Sequence, residues 1–174
     1  NFINKLEFCK SYKLDSNKQI IFVMLHAFND MPHHFDNSLY TDYYRWFIET
    51  LKIAKQVTNV NWIFKEHPNS NMYPDDSNLN GIFELCDSKN ISFIGKDYNF
   101  SSNSIQHLAD CIITCVGTAG LEYSCLGIPA IIASNNSYSN HGLCYEPKTI
   151  KEYGNLLKKI PSRVSPLSKE QIEK

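Results

Sequence analysis

The stretch CIITCVGTAGLEYSCLGIPAIIAS, residues 111–134, runs from one apolar strand through two glycines and a short helix into a second apolar strand. Gly127 and Pro129 stand where the predicted helix ends, and both residue types commonly follow the last turn of a helix. Continuous apolar strands on either side of a helix are typical of a parallel sheet that helices cover on both faces. The stretch therefore predicts one strand-helix-strand unit of an α/β protein.

The same alternation extends over the rest of the chain. Strands are predicted at 19–28, 61–67, 91–95, 111–117 and 130–134, and helices at 42–57 behind an N-cap at Thr41, 76–89, 104–110, 119–127 and 149–160. Because crossovers between parallel strands are right-handed, these units predict a doubly wound, Rossmann-like parallel sheet of about five strands in the order 3-2-1-4-5, with helices on both faces.

The pattern predicts a single domain over residues 1–160. Residues 161–174 contain two prolines and become polar, which indicates an exit segment that leaves the core. The first residue is Asn1 and no secretory leader pattern follows, so we expect a chain that is either processed or, as the better interpretation, excised from a longer protein.

Composition excludes several classes of protein. A net charge of −1 and the lack of a basic stripe argue against a nucleic-acid partner. The longest apolar run, 20–25, is far shorter than the roughly 20 residues that span a bilayer. Six cysteines in a chain with a sizeable core are expected to be reduced, as in the cytosol.

No metal site is expected from the sequence. Cys111 and Cys115 lack a second pair of ligands, so buried thiols are the better interpretation. The segment HAFNDMPHH, 26–34, contains three histidines and Asp30, but no helical spacing or cysteine supports a metal there, which favours a solvated loop.

Polar residues collect just after the predicted strands, where open α/β sheets bind ligands. The candidates are His26 and Asp30 after strand one, Lys65 and His67 after strand two, Gly117, Thr118, Ala119 and Gly120 after strand four, and Ser134 and Tyr138 after strand five. We expect these residues to form one ligand site.

The turn at 117–120 suits a phosphate. Gly117 and Gly120 allow a tight turn and a close approach of backbone to ligand, while Thr118 can cap the helix, whose first free amides face an anion. Glu122 lies one turn into the helix, and its carboxylate can lean back to the same place and bind the vicinal diol of a ribose. The alternative is that Glu122 merely complements the helix dipole.

The segment KEHP, 65–68, is the second part of the candidate site. The residue before a proline is held extended, which aims the His67 imidazole outward. With Lys65 nearby, His67 can donate to a phosphate oxygen or protonate a leaving group. The alternative is an ordinary turn.

Several nucleotide-binding and catalytic motifs are missing. The chain has no G-x-G-x-x-G after strand one, no G-x-x-x-x-G-K-[ST] and no G-x-S-x-G, which argues against common NAD, ATP and α/β-hydrolase sites.

The segment SIQHLADCIITCVGTAGLEYSCLGIPAIIAS, 104–134, resembles the C-terminal, donor-binding half of GT-B fold glycosyltransferases. The segments 26–30, 42–68 and 138–157 look similar to bacterial capsule and surface-polysaccharide biosynthesis proteins. The resemblance implies metal-independent sugar transfer from a CMP-, CDP- or UDP-linked donor to a saccharide acceptor, with no further cofactor. It also implies that His67 contacts the donor phosphate and Glu122 the ribose, with the backbone of 117–120 on the phosphate.

In such enzymes a second, N-terminal lobe binds the acceptor and supplies the base, so the resemblance implies that this chain is one lobe and inactive alone. It implies a cytoplasmic protein, in peripheral contact with the inner face of the bacterial membrane. Alternatives are a lobe of a sugar-nucleotide 2-epimerase, a lobe of a CDP-glycerol-type polyol-phosphate transferase and, from another class, a non-catalytic flavodoxin-like interaction module.

Overall fold

The computed structural model describes residues 2–30, 38–72, 77–160, 164–165 and 167–172. Its sheet has five parallel strands in the order β3-β2-β1-β4-β5, which confirms the predicted fold and strand order. The strands are β1 Ile20–Met24, β2 Asn61–Lys65, β3 Ile91–Ile94, β4 Cys111–Thr114 and β5 Ala130–Ile132.

Helices lie between the strands and at both ends of the described chain. They are α1 Lys5–Ser11, α2 Tyr43–Gln56, α3 Leu79–Glu84, α4 Ile105–Leu108, α5 Ala119–Cys125, α6 Ile150–Leu157 and α7 Lys169–Ile172, with short 3-10 helices at Ser70–Met72 and Ser102–Ser104. No helix within these described ranges is long and apolar enough to cross a membrane.

Two helix starts differ from the sequence prediction. Helix α1 was not predicted; Asn4 and Glu7 cap it reciprocally, each side chain bonding the other residue's backbone amide. Helix α2 is capped by Asp42, whose side chain accepts the Arg45 amide, so the N-cap expected at Thr41 is wrong by one residue.

Helix α3 is much shorter than the predicted 76–89. It begins after Asn78, whose side chain accepts the Gly81 amide, and it ends at Glu84. A glycine inside so short a helix costs about 1 kcal/mol relative to alanine, which helps to explain why the helix does not extend.

The sheet separates two apolar layers. Ile21 and Val23 of β1 face one layer with Trp46 and Phe47 of α2, and all four side chains are fully buried. The opposite layer contains Ile20 and Phe22 of β1, Phe8 of α1, and Ile105 and Leu108 of α4. Burying each such side chain contributes about 1.5–3 kcal/mol to stability. Because helices cover both faces of the sheet, β1 is apolar at every position.

The carboxyl ends of β2, β1 and β4 lie side by side. Lys65 pairs with Met24, and Ile113 pairs with Val23, so the segments that follow these strands start at the same edge. Since β1 lies between β2 and β4, the chain order reverses there, and a crevice forms at this topological switch point.

Helix α5 ends as the sequence predicts. Gly127 has a positive φ of 81°. Its amide donates to the Ser124 carbonyl, and the Ile128 amide donates to the Tyr123 carbonyl. This is a Schellman motif, in which a left-handed glycine satisfies the last carbonyl groups of the helix. It returns the chain into β5.

Part of the predicted exit segment stays against the domain. Val164 packs on the core, and the Ser165 amide donates to the Tyr145 hydroxyl at 2.9 Å. Val164 and Ser165 therefore contact the domain, and the exit segment over 161–174 stays a prediction.

Candidate functional site

A cleft of about 430 Å³ lies at the carboxyl ends of β1, β2 and β4. The residues predicted for the site that line it are His26, Lys65, His67, Gly117, Thr118, Ala119 and Glu122. Lys65 and His67, from the end of β2, and Glu122, from α5, therefore line the same cleft.

Lys65, the last residue of β2, is a buried cation in this cleft. Lys65 is 7% exposed, and its ammonium lies 4.5 Å from the centroid of the Tyr98 ring. The ammonium is 3.5 Å from the Glu66 carbonyl oxygen, and within the described residues it forms no salt bridge. Burial lowers the pKa of Lys65, and the Glu66 charge opposes that shift. A buried ammonium that forms no salt bridge with any described carboxylate is a favourable partner for an anion.

Glu66 also lines the cleft, and its carboxylate joins two loops. The Ser70 hydroxyl donates to one carboxylate oxygen at 2.6 Å, and the Lys96 amide donates to the other at 3.0 Å. The carboxylate thereby fastens the segment after β2 to the segment after β3.

His67 is held as a hydrogen-bond donor. The Asn69 amide donates to Nδ1 at 3.2 Å, so in the neutral ring Nε2 carries the proton. Burial lowers the pKa of His67, Lys65 lowers it further, and Asp30 opposes both. The arrangement favours donation from a neutral Nε2–H over proton transfer from an imidazolium.

The loop between β4 and α5 satisfies its amides unevenly. The Val116 amide donates to His26 Nε2 at 3.2 Å, and the Gly117 amide donates to Thr114 Oγ1 at 3.3 Å. The Gly120 amide donates to the Gly117 carbonyl at 3.0 Å. The amides of Thr118 and Ala119 make no hydrogen bond to another described residue, and both residues line the cleft. Two backbone donors are therefore available to a ligand.

His26 contributes to this loop from the end of β1. Because Nε2 accepts the Val116 amide, it carries no proton, and the Thr114 hydroxyl donates to it at 3.1 Å. Burial, and secondarily the neighbouring His67, lower the pKa of His26 to about 3. The ring stacks on Tyr43 with centroids 4.4 Å apart. His26 is thus neutral at physiological pH, and its Nε2 is committed to the loop.

The structure shows a steric role for Gly117 and Gly120, while the close approach of their backbone to a ligand stays a prediction. Neither has a positive φ. A Cβ on Gly117 would lie 2.9 Å from Thr114 Oγ1, and a Cβ on Gly120 would overlap the Tyr138 hydroxyl. The glycines make room for the protein's own polar side chains. Thr118 occupies the N-cap position with φ −56° and ψ −20°, but the side-chain cap expected of it is not formed.

The other predicted residues have varied positions. Glu122 is exposed and lines the cleft from the first turn of α5. Asp30 is not among the lining residues, although its charge acts on His67. Ser134 lines a separate cavity of about 320 Å³ beside β5. Tyr138 is buried, and its hydroxyl donates to the Gly117 carbonyl. Tyr138 therefore supports the loop from behind.

Of the cysteines and histidines considered for a metal site, the structure describes Cys111, Cys115 and His26. Cys111 and Cys115 are buried free thiols whose pKa values burial raises. His33 and His34 lie outside the described residues. Across the part of the chain that the structure describes, no group of three or more His, Cys, Asp or Glu residues is arranged to hold a metal ion.

Thr114 and Tyr98 are among the lining residues that the sequence did not identify. Thr114 was interpreted as part of a buried strand, and its position as the last residue of β4 was the available signal. Tyr98 follows β3, and its ring covers the Lys65 ammonium. An aromatic residue after a strand end gives little indication of such a contact.

Comparisons with known proteins show the fold. Over 97% of its length the chain matches 42% of a UDP-GlcNAc 2-epimerase from Neisseria meningitidis bound to UDP-GlcNAc, with a TM-score of 0.59 and 13% identity. Over 90% it matches 43% of KpsC, a β Kdo 2,7 transferase from Thermosulfurimonas dismutans, with a TM-score of 0.52 and 22% identity. Over 97% it matches 41% of the wall teichoic acid polymerase TagF, with a TM-score of 0.55 and 15% identity.

The chain spans about two fifths of the length of these structures. At such low identities the likeness establishes the Rossmann-like α/β fold and its strand order. No protein-family model and no curated protein sequence matches the chain.

Proposed function

We propose that this chain is the donor-binding lobe of a GT-B type glycosyltransferase and binds a nucleotide-sugar in the cleft. One observation carries the proposal: the buried Lys65 ammonium, which has no ion-pair partner among the described residues, lines the same cleft as the two unpaired amides of Thr118 and Ala119. A positive charge beside free backbone donors favours a phosphate group.

Each side chain then has a definite task. Lys65 provides the positive charge, the two amides provide directed donors, and His67 adds its Nε2–H. Glu122, on the first turn of α5, accepts the hydroxyl groups of the ribose. A carboxylate beside a phosphate pocket is otherwise repulsive, and for that reason we assign it to the neutral diol.

The proposed reaction breaks the bond between the anomeric carbon and the phosphate oxygen. The acceptor oxygen attacks the anomeric carbon and loses its proton to a base, and the bonding electrons leave with the nucleotide phosphate. Lys65, His67 and the two amides stabilise the charge that develops on that phosphate. In the proposal, a second lobe binds the saccharide acceptor and supplies the base, so the isolated lobe binds donor without transferring sugar.

The comparisons support this proposal at a coarse level. One matched structure contains UDP-GlcNAc and another, MnaA from S. aureus, contains UDP. The β Kdo 2,7 transferase KpsC and the wall teichoic acid polymerase TagF support a role in bacterial surface-polysaccharide synthesis. Our assignment to capsule synthesis, and to the cytoplasm at the inner face of the membrane, is part of the same proposal. Coverage of about two fifths of each neighbour supports a lobe of a longer protein.

A second candidate is a lobe of a UDP-GlcNAc 2-epimerase. The match to the Neisseria meningitidis epimerase, with a TM-score of 0.59, favours it. Both candidates need the same phosphate site. Product analysis of a complete two-lobed protein separates them, because the transferase releases free nucleotide and the epimerase leaves the sugar on it.

Calorimetric titration tests the shared part of the proposal. We expect the chain to bind UDP or CMP more tightly than uridine or cytidine, because only the nucleotides engage Lys65 and the two amides. Equal affinity for nucleotide and nucleoside, or no binding of either, would refute the phosphate site.

A further inference from the structure

We propose that His26, Thr114 and Tyr138 are positioning residues for the anion site, which rests on the function proposed above. We call these three side chains the loop clamp. They come from the segment after β1, from the end of β4 and from the segment after β5, and each bonds the backbone of the loop that joins β4 to α5.

The first half of the loop clamp fixes the start of the loop. His26 Nε2 accepts two hydrogen bonds, from the Val116 amide at 3.2 Å and from the Thr114 hydroxyl at 3.1 Å. The Thr114 oxygen in turn accepts the Gly117 amide at 3.3 Å. His26 is the acceptor at the end of this chain, so it must stay neutral for the chain to form.

Tyr138 fixes the other half. Its hydroxyl donates to the Gly117 carbonyl, which also accepts the Gly120 amide at 3.0 Å. The Tyr138 backbone amide donates to Asn136 Oδ1 at 3.1 Å, so the tyrosine is itself anchored after β5. With no Cβ on Gly120, the hydroxyl reaches the turn directly.

The loop clamp thereby decides which amides remain free. It binds the amides of Val116 and Gly117 and the carbonyl that receives the Gly120 amide. The amides of Thr118 and Ala119 have no hydrogen-bond partner among the described residues, and both residues line the cleft. The three side chains have no need to touch a phosphate, since they act by holding the donors that do.

Two conservative variants test the loop clamp. Thr114→Val removes the hydroxyl at nearly constant volume, and Tyr138→Phe removes only the phenolic oxygen. We expect each to bind UDP or CMP about tenfold more weakly, since a misplaced amide loses a hydrogen bond to a charged group. We expect binding of uridine or cytidine to change less than twofold.

Matched controls are available for both variants. Thr114→Ser keeps the hydroxyl and should restore nucleotide binding. Tyr40→Phe removes a hydroxyl that has no partner within the described structure, from a tyrosine that is 6% exposed, as Tyr138 is. It should leave nucleotide binding unchanged.

The outcomes separate the two proposals. If the wild-type chain does not prefer nucleotide over nucleoside, the proposed function fails first. If it does, and Thr114→Val and Tyr138→Phe bind nucleotide like the wild type, the loop clamp is overturned. Equal losses for nucleotide and nucleoside would overturn it as well, because that is the behaviour of general destabilisation. Loss confined to the nucleotide, restored by Thr114→Ser, supports it.

Discussion

The Lys65 ammonium lies over the face of the Tyr98 ring, 4.5 Å from its centroid, on the wall of the cleft. The ring partly offsets the desolvation of the charge, since a cation over an aromatic face contributes about 0.5–2 kcal/mol. That contact and a carbonyl at 3.5 Å are weaker than a carboxylate partner would be. Among the described residues, Lys65 thus has no carboxylate at salt-bridge distance, and Glu66 compensates its charge only in part.

Lys65→Met should raise stability while it weakens binding. Methionine fills a similar volume without a buried charge, so we expect the free energy of unfolding to rise by about 1 kcal/mol. Affinity for UDP or CMP should fall at least about tenfold. Urea unfolding and calorimetry measure the two effects. The exposed Lys89→Met, at a residue with no salt bridge to a described residue, is the control and should change neither. Lower stability with unchanged affinity in Lys65→Met would contradict the assignment.

Two replacements of His67 separate its ring nitrogens. Asparagine places an acceptor near the position of Nδ1, where the Asn69 amide donates, but it has no group at Nε2. We expect His67→Asn to keep its melting temperature and to bind nucleotide about fivefold to tenfold more weakly. His67→Gln, which carries a donor near the position of Nε2, should retain more of the affinity. The reverse ranking would show that Nδ1 and its turn matter more than the donor.

Glu122→Gln tests the ribose contact. The side chain is exposed, so the free energy of unfolding should change by less than about 0.5 kcal/mol. Affinities for uridine and UDP should fall by a similar factor, because both carry the ribose. A 2′-deoxynucleotide should bind wild type and variant alike. If Glu122→Gln instead strengthens UDP binding, the carboxylate is only a repulsive neighbour of the phosphate.

The pH dependence of stability should carry the signature of His26. Its folded pKa is about 3, below the ordinary value of 6.5, so the unfolded chain takes up a proton that the folded chain refuses. The contribution of neutral His26 to the free energy of unfolding is therefore present above about pH 6.5 and is lost as the pH falls from 6.5 towards 3. From pH 7.5 to 5.5 this single group removes about 1.4 kcal/mol.

Urea unfolding at the two pH values measures that decline. In His26→Gln it should be smaller by about the same 1.4 kcal/mol, whatever the variant's absolute stability. His67, whose pKa burial also lowers, acts in the same direction in both proteins. Identical declines in wild type and variant would show that His26 is not held neutral.

Gly120→Ala should destabilise the domain by about 1–3 kcal/mol. The added methyl would meet the Tyr138 hydroxyl and would lie 3.0 Å from Ile132, both of them buried. Gly154→Ala in α6 is the matched control, since its methyl would meet Ile53 at an ordinary 3.7 Å. That change should stabilise by about 0.4–1 kcal/mol. Thermal unfolding of both variants distinguishes steric overlap from a general intolerance of alanine.

The sequence predicted the sheet because its signals there are local and strong. Residues 20–24 and 111–114 are apolar at every position but one, which is what a strand covered on both faces requires, and right-handed crossovers then allow few strand orders. Helix α1 was missed although Asn4 and Glu7 have the spacing of a capping box.

The site was predictable in its location and less so in its internal contacts. Strand ends indicated that Lys65, His67 and Glu122 would meet at one edge, and the structure brings them to one cleft. Their roles stay predictions until binding is measured. The contact of His26 with Thr114 joins residues 88 positions apart, and such side-chain contacts leave no periodic trace in the sequence.

The central position of β1 has a consequence for how this chain is made. The Ile20 amide donates a hydrogen bond to the Asp110 carboxylate 90 residues away, and β1 pairs with both β2 and β4. During synthesis from the amino terminus, one edge of the apolar strand β1 therefore remains unpaired until Cys111–Thr114 has left the ribosome. A nascent chain stalled before that point would expose an aggregation-prone edge and depend on chaperones.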